Sequence, residues 1–205
     1  MPDSLAERWA RLEPHLQIAR PAGVGPWPAV LLFHGCGGRR AFLADYQRVA
    51  AEAGMLAISV DSFAPRGWSR ARALATVCTG LDLPGWKRAG DVLAAIWGVS
   101  RMHDVDASRV VLAGWSHGGW AIMDLMTMAL ERSGEAGVGD PDPALLAAVK
   151  GLFLAYPYCG PGADPAAAMA PHARGVRPGG RRGPRRAPGP LSARFRRRRK
   201  VRRAR

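Results

Sequence analysis

The sequence predicts an α/β fold, with a mainly parallel sheet covered by helices on both faces. Three observations carry that expectation. Short apolar runs alternate with segments whose apolar residues recur at helical spacing, the order of successive βαβ units. The runs Ala29–Phe33 and Met55–Val60 are apolar at every position except Ser59, as strands buried on both sides are. Finally, the run Arg109–Trp115 leads into Gly114-Trp115-Ser116-His117-Gly118 and then into a helical pattern, a strand–turn–helix junction.

Each element follows in order. Leu16–Ala19 reads as a weak strand, followed by the turn-rich Pro21–Pro26. The strand Ala29–Phe33 ends in His34-Gly35-Cys36-Gly37-Gly38. Phe42, Tyr46, Val49 and Ala50 then mark a helix that stops near Gly54. Met55–Val60 is the second buried strand and runs into Asp61-Ser62-Phe63-Ala64-Pro65-Arg66-Gly67. Residues 68–85 read as an irregular segment that caps a site. Trp86 to about Arg101 reads as a helix with Val92, Leu93, Ile96 and Trp97 on one face. After the strand that ends at Trp115, a helix is expected from about His117 to Glu131. Leu145–Ala148 and a last strand, Gly151–Tyr156, complete the pattern.

At 205 residues and 48% apolar content, the chain is long enough for one domain with a core. Its net charge of +14 is not evenly spread. Residues 1–160 hold 15 Lys+Arg and 15 Asp+Glu, whereas residues 161–205 hold 15 Lys+Arg and the single acid Asp164. The overall charge therefore says nothing about the first 160 residues. Cys36, Cys78 and Cys159 cannot all pair and form no C-x-x-C spacing, so they read as the reduced thiols of a cytoplasmic protein. Residues 1–8 carry acids and no apolar segment, unlike a signal peptide. No window approaches the ~18 apolar residues of a membrane span.

A serine hydroxyl is a weak nucleophile unless a tight turn presents it to a base and to oxyanion donors. Small residues around Ser116 permit that turn, since a side chain at Gly114 or Gly118 would strike the strand or the helix. Taken with the His34–Gly38 and Asp61–Gly67 segments, this order resembles the α/β-hydrolase fold and, within it, the dienelactone hydrolase family, over roughly residues 20–160. The resemblance implies hydrolysis of a small-molecule ester or lactone, with no metal and no cofactor. The dienelactone hydrolases proper carry a cysteine where this chain has Ser116, so the serine implies a relative of different specificity.

By that resemblance Ser116 is the nucleophile. The backbone N–H of His117 is one oxyanion donor, and that of Cys36, between Gly35 and Gly37, is the second. Arg66 stands where the family holds a substrate carboxylate; a salt-bridged arginine is the plainer alternative. His34 is expected to brace the oxyanion loop, the His117 ring to be scaffold or pocket wall, and Asp61 to cap or brace its strand end. Cys36 and Cys159 are expected to be buried and inert.

The histidine base and its acid should follow in the order Ser, Asp/Glu, His. Past Gly160 only Asp164 and His172 are available, with seven residues between them and no strand before either. They are not expected to form a triad, which implies impaired activity. The boundary near 160 also marks a change of character. From 161 to 205 the large apolar residues are Met169, Val176, Leu191, Phe195 and Val201 alone, among seven prolines and six glycines. Such a segment is expected to be disordered. Its Arg, Pro, Gly and Ala content matches a slipped GC-rich reading frame, so a non-native continuation is expected from about 161. Two further functions compete: non-specific phosphate binding by the basic residues of 194–205, and a non-catalytic hydrolase-fold scaffold. The oligomeric state is not encoded in any motif.

Overall fold

The structure, a computed structural model, describes residues 1–160. The readings that concern 161–205, namely Asp164, His172, the basic tail and the domain boundary at 160, lie outside the described residues. Among the described residues, five strands form one sheet in the order β1 (Gln17–Ala19), β3 (Leu56–Val60), β2 (Trp27–Phe33), β4 (Val105–Trp115) and β5 (Val149–Ala155). Only β1 is antiparallel, to β3. The other pairings are parallel, as expected for apolar strands joined by helical crossovers.

The helices are α1 (Leu5–Leu12), α2 (Phe42–Glu52), α3 (Arg70–Thr76), α4 (Gly85–Val99) and α5 (His117–Thr127). Alternate residues of β2 serve two cores. Ala29, Leu31 and Phe33 pack with Val92, Leu93 and Ile96 of α4 and Ile122 of α5, whereas Val30 and Leu32 pack with Leu43 of α2 and Trp115. This two-sided burial is the period-2 alternation of a strand realised as two layers.

Three differences from the sequence reading have physical reasons. Residues 68–85 contain a short helix, α3, capped by Ser69, whose hydroxyl accepts the Arg72 N–H. Its seven residues are too few for a periodic pattern to show. Helix α5 ends at Thr127 rather than near Glu131, because Met128 has turned to extended backbone. Helix α1 was not anticipated, although Ser4-Leu5-Ala6-Glu7 is a capping box in which the Ser4 hydroxyl accepts the Glu7 N–H and the Glu7 carboxylate accepts the Ser4 N–H. Leu5, Trp9 and Leu12 of α1 enter the main core, and Trp9 lies so close to α4 that a Cβ on Gly98 would overlap its ring.

The register aligns the ends of the strands. Phe33 pairs with Val60 on one side and Gly114 on the other, and Gly114 pairs with Leu154. His34, Asp61 and Ser116 therefore all emerge at the carboxyl edge of the sheet, where open α/β sheets place their ligands.

Candidate active site

Ser116 sits between β4 and α5 with φ 50° and ψ −114°, a conformation that costs a non-glycine residue energy and persists only where its surroundings impose it. Its N–H donates to Ala155 O (3.0 Å), and its carbonyl accepts the N–H groups of Trp120 (3.0 Å) and Tyr158 (3.2 Å). The close approach also needs glycine on either side. A Cβ on Gly114 would lie 2.6 Å from the Gly119 nitrogen, and one on Gly118 would overlap the Phe33 carbonyl. The strand, the turn and the helix are thus packed backbone to backbone, and the serine is held at their crest.

The loop after β2 lies against it. A Cβ on Gly35 would be 3.4 Å from Ser116 Cβ and 4.0 Å from Ser116 Oγ. The Gly35 carbonyl accepts from His34 Nδ1 (2.8 Å) and from the Gly38 N–H (3.1 Å). In a trans peptide the N–H opposes the C=O, so these two bonds turn the Cys36 N–H away from them. His117 is the first residue of α5, where N–H groups lack intrahelical partners and the helix dipole is positive.

The rings of His34 and His117 are engaged elsewhere. His34, buried, uses Nδ1 on Gly35 and accepts the Ser62 N–H at Nε2 (3.2 Å), so it braces the loop between two strand ends. The His117 ring donates from Nε2 to Leu83 O (2.9 Å) and accepts from Arg88 Nη1 at Nδ1 (2.9 Å). Burial, reinforced by the Arg88 charge, lowers both imidazoles, His117 to about 3. Neutral rings with both nitrogens occupied are braces, and among the described residues none hydrogen-bonds Ser116 Oγ.

Arg88 is the hub of this buried cluster. Its side chain is fully buried, and besides the bond to His117 it donates from Nε to Ser62 Oγ (3.0 Å) and covers the Phe63 ring. Burial lowers its affinity for the proton to a pKa of about 10, so it stays charged at neutral pH. Asp61 accepts the N–H groups of Phe63 (2.8 Å) and Ala64 (3.0 Å), bracing the turn after β3. Partial burial works against its charge, but the bonds from the Ala64 and Phe63 amides favour it, and the carboxyl is held below its usual range.

Of the two readings of Arg66, the structure has the salt-bridged one: it is paired with the fully buried Asp91 through two bonds (2.8 and 2.9 Å). Asp91 also accepts from Arg8 (2.8 Å), and burial of a carboxylate demands such partners. One expectation needs correction. The cysteines are not all reduced: Cys36 and Cys78 form a disulfide across 42 residues of sequence, and the free Cys159 is exposed rather than buried. No C-x-x-C spacing betrays such a pair, because the fold, not the local sequence, brings the two residues together. Among the described residues, no group of three His, Cys, Asp or Glu side chains is placed to hold a metal, and no helix is long and apolar enough to cross a membrane.

The family model of the dienelactone hydrolases matches residues 16–136. Among solved structures, esterase 2 of Thermogutta terrifontis phosphonylated by sarin is similar at 18% identity, with 69% of this chain and 48% of that chain covered and a TM-score of 0.47. The butyrate-bound form of an esterase from the same organism is similar at 22% identity, with 69% and 48% covered and a TM-score of 0.46. Esterase Est22 is similar at 18% identity, with 70% and 39% covered and a TM-score of 0.47. The chain spans about half the length of the first of these esterases, or less in the case of Est22. A comparison with curated proteins finds no match.

Proposed function

Since this chain belongs to the dienelactone hydrolase family, whose model covers more than half of its residues, we propose that it is a serine hydrolase acting on a carboxylic ester or lactone. The observation that carries this reading is the juxtaposition of Ser116, strained at the crest of the β4–α5 turn, with the loop at Gly35. Ser116 Oγ attacks the acyl carbonyl, the alcohol leaves, and water releases the acid. The N–H groups of His117 and Cys36 donate to the tetrahedral oxyanion, the arrangement that stabilises charge where it develops.

In this reading the described residues offer a nucleophile and two donors, and among them no imidazole hydrogen-bonds Ser116 Oγ. The chain is therefore proposed to turn over slowly, in the range that binding and an oxyanion hole alone supply, about 10³–10⁴-fold over water. The same observation supports a second reading, a non-catalytic scaffold. A fluorophosphonate label and hydrolysis of p-nitrophenyl acetate separate them. Slow labelling and slow hydrolysis, both lost in Ser116→Ala, support the hydrolase, whereas rates indifferent to Ser116→Ala support the scaffold. The cytoplasmic setting read from the sequence belongs to this proposal as well, with one consequence. Disulfides persist in oxidising compartments, so a cytoplasmic pool would meet reductants able to open Cys36–Cys78.

A further inference from the structure

We propose that the Cys36–Cys78 disulfide is a positioning device for the oxyanion hole, and that its reduction slows the hydrolase. The inference rests on the reading of Ser116 as nucleophile and of the Cys36 N–H as donor. The bond leaves the side chain of the residue whose backbone is assigned to the oxyanion, and it ends on Cys78, whose N–H donates to Ala73 O of α3 (3.1 Å). Around it Phe63, Ala73, Val77 and Leu83 form a small core of their own, with Cys36 packed against it.

The segment from α3 to Leu83 touches both halves of the hole. At one end Cys78 is bonded to Cys36, and at the other the Leu83 carbonyl accepts the His117 Nε2–H. Residues 70–83 thus form a bracket between the two residues whose N–H groups are assigned to the oxyanion. The His117 end is a hydrogen bond reinforced by Arg88. The Cys36 end is covalent, while the rest of the loop is short, glycine-rich and held by the two bonds to Gly35 O.

Reduction by a dithiol transfers two electrons and two protons. The S–S bond breaks, Cys36 and Cys78 each gain S–H, and the dithiol closes to a cyclic disulfide. The bracket then keeps its His117 contact and loses its hold on Cys36, so the donor peptide is free to turn. Losing one oxyanion donor costs about 10²–10³ in kcat. A donor that is loosened rather than deleted is expected to cost about 10-fold or more, in kcat rather than KM.

The test uses the full chain carrying Cys159→Ser, which removes the exposed thiol that would otherwise exchange with the pair. Thiol titration counts the bonds opened, amide hydrogen exchange reads residues 35–38, and p-nitrophenyl acetate reads the rate. Two new thiols, faster exchange at 35–38 with β4 and α5 unchanged, and a lower kcat are expected, all reversed by oxidised glutathione. The additional change Cys78→Ser is expected to show the reduced behaviour without reversal. Unchanged exchange at 35–38 after two thiols appear overturns the proposal, and so does faster exchange with an unaltered Ser116-dependent rate. Hydrolysis that survives Ser116→Ala refutes the hydrolase reading instead, and the exchange arm still decides whether the disulfide positions the loop.

Discussion

The two sides of the candidate site are held in place by different means. At the Ser116 turn, backbone packs on backbone: Gly114 meets Gly119, Gly118 meets Phe33, and Ser116 is bonded through its own N–H and C=O. At the loop after β2, side chains share the holding with backbone: the His34 ring and the Gly38 N–H on Gly35 O, the Ser62 N–H on His34, and the distant Cys78 on Cys36. Close backbone packing has almost no slack, so any added atom is felt throughout the fold. A cross-linked loop tolerates change in its own residues and is sensitive to loss of the distant partner.

The largest expected effect tests the first half of that contrast. Gly118→Ala should destabilise the protein by about 3–5 kcal/mol, beyond ordinary overpacking because the clash is with backbone that cannot rotate away. A urea midpoint within error of wild type would remove the distinction. Next comes Arg88→Leu, which strips the His117 and Ser62 side chains of a buried donor and should cost roughly 2–4 kcal/mol. Its exchange signature should appear at 34–38 before it appears in α5.

Titration sharpens the comparison further. The His117 imidazole is lowered from 6.5 to about 3 by burial and by Arg88. A depressed histidine binds fewer protons folded than unfolded, so its contribution is complete above 6.5 and is lost as pH falls toward 3. The stability gap between wild type and His117→Gln should therefore narrow over that range, by roughly 2–4 kcal/mol. Asp124, buried on α5, runs the other way. Burial raises its carboxyl from 3.8 to about 7, so the folded state holds the proton more tightly and stability falls as pH rises between those values. Asp124→Asn should abolish that decline, as thermal melts at pH 4 and pH 8 would show.

The smallest effect is expected in the loop itself. A Cβ on Gly37 meets nothing nearer than Leu74 at 3.7 Å, an ordinary contact. Gly37→Ala should change stability by less than about 0.5 kcal/mol. A loss as large as that of Gly118→Ala would show that the loop, too, is defined by its backbone.

Much of the fold is legible in the residues themselves. The segments Ala29–Phe33, Met55–Val60 and Arg109–Trp115 are apolar apart from Ser59 and the leading Arg109, and each lies inside or within a residue of a strand of the sheet. The turn at Ser116 was equally plain, since glycines at fixed offsets are a local requirement of local geometry. Helix α1 was missed although Ser4 and Glu7 carried its signal, because a short amphipathic segment before a weak strand gives little period to count.

The sequence by itself determined where the chain would be strand and where Ser116 would be presented, because those properties depend on residues within a few positions of each other. Only the tertiary structure decided that Cys36 meets Cys78, that Arg66 answers Asp91, and that the His34 and His117 rings are occupied. Those pairings join residues 25 to 42 positions apart, and the cost of taking their charged and polar groups out of water is met only because each finds its partner in one packed interior. No local pattern encodes a meeting that depends on how whole layers stack.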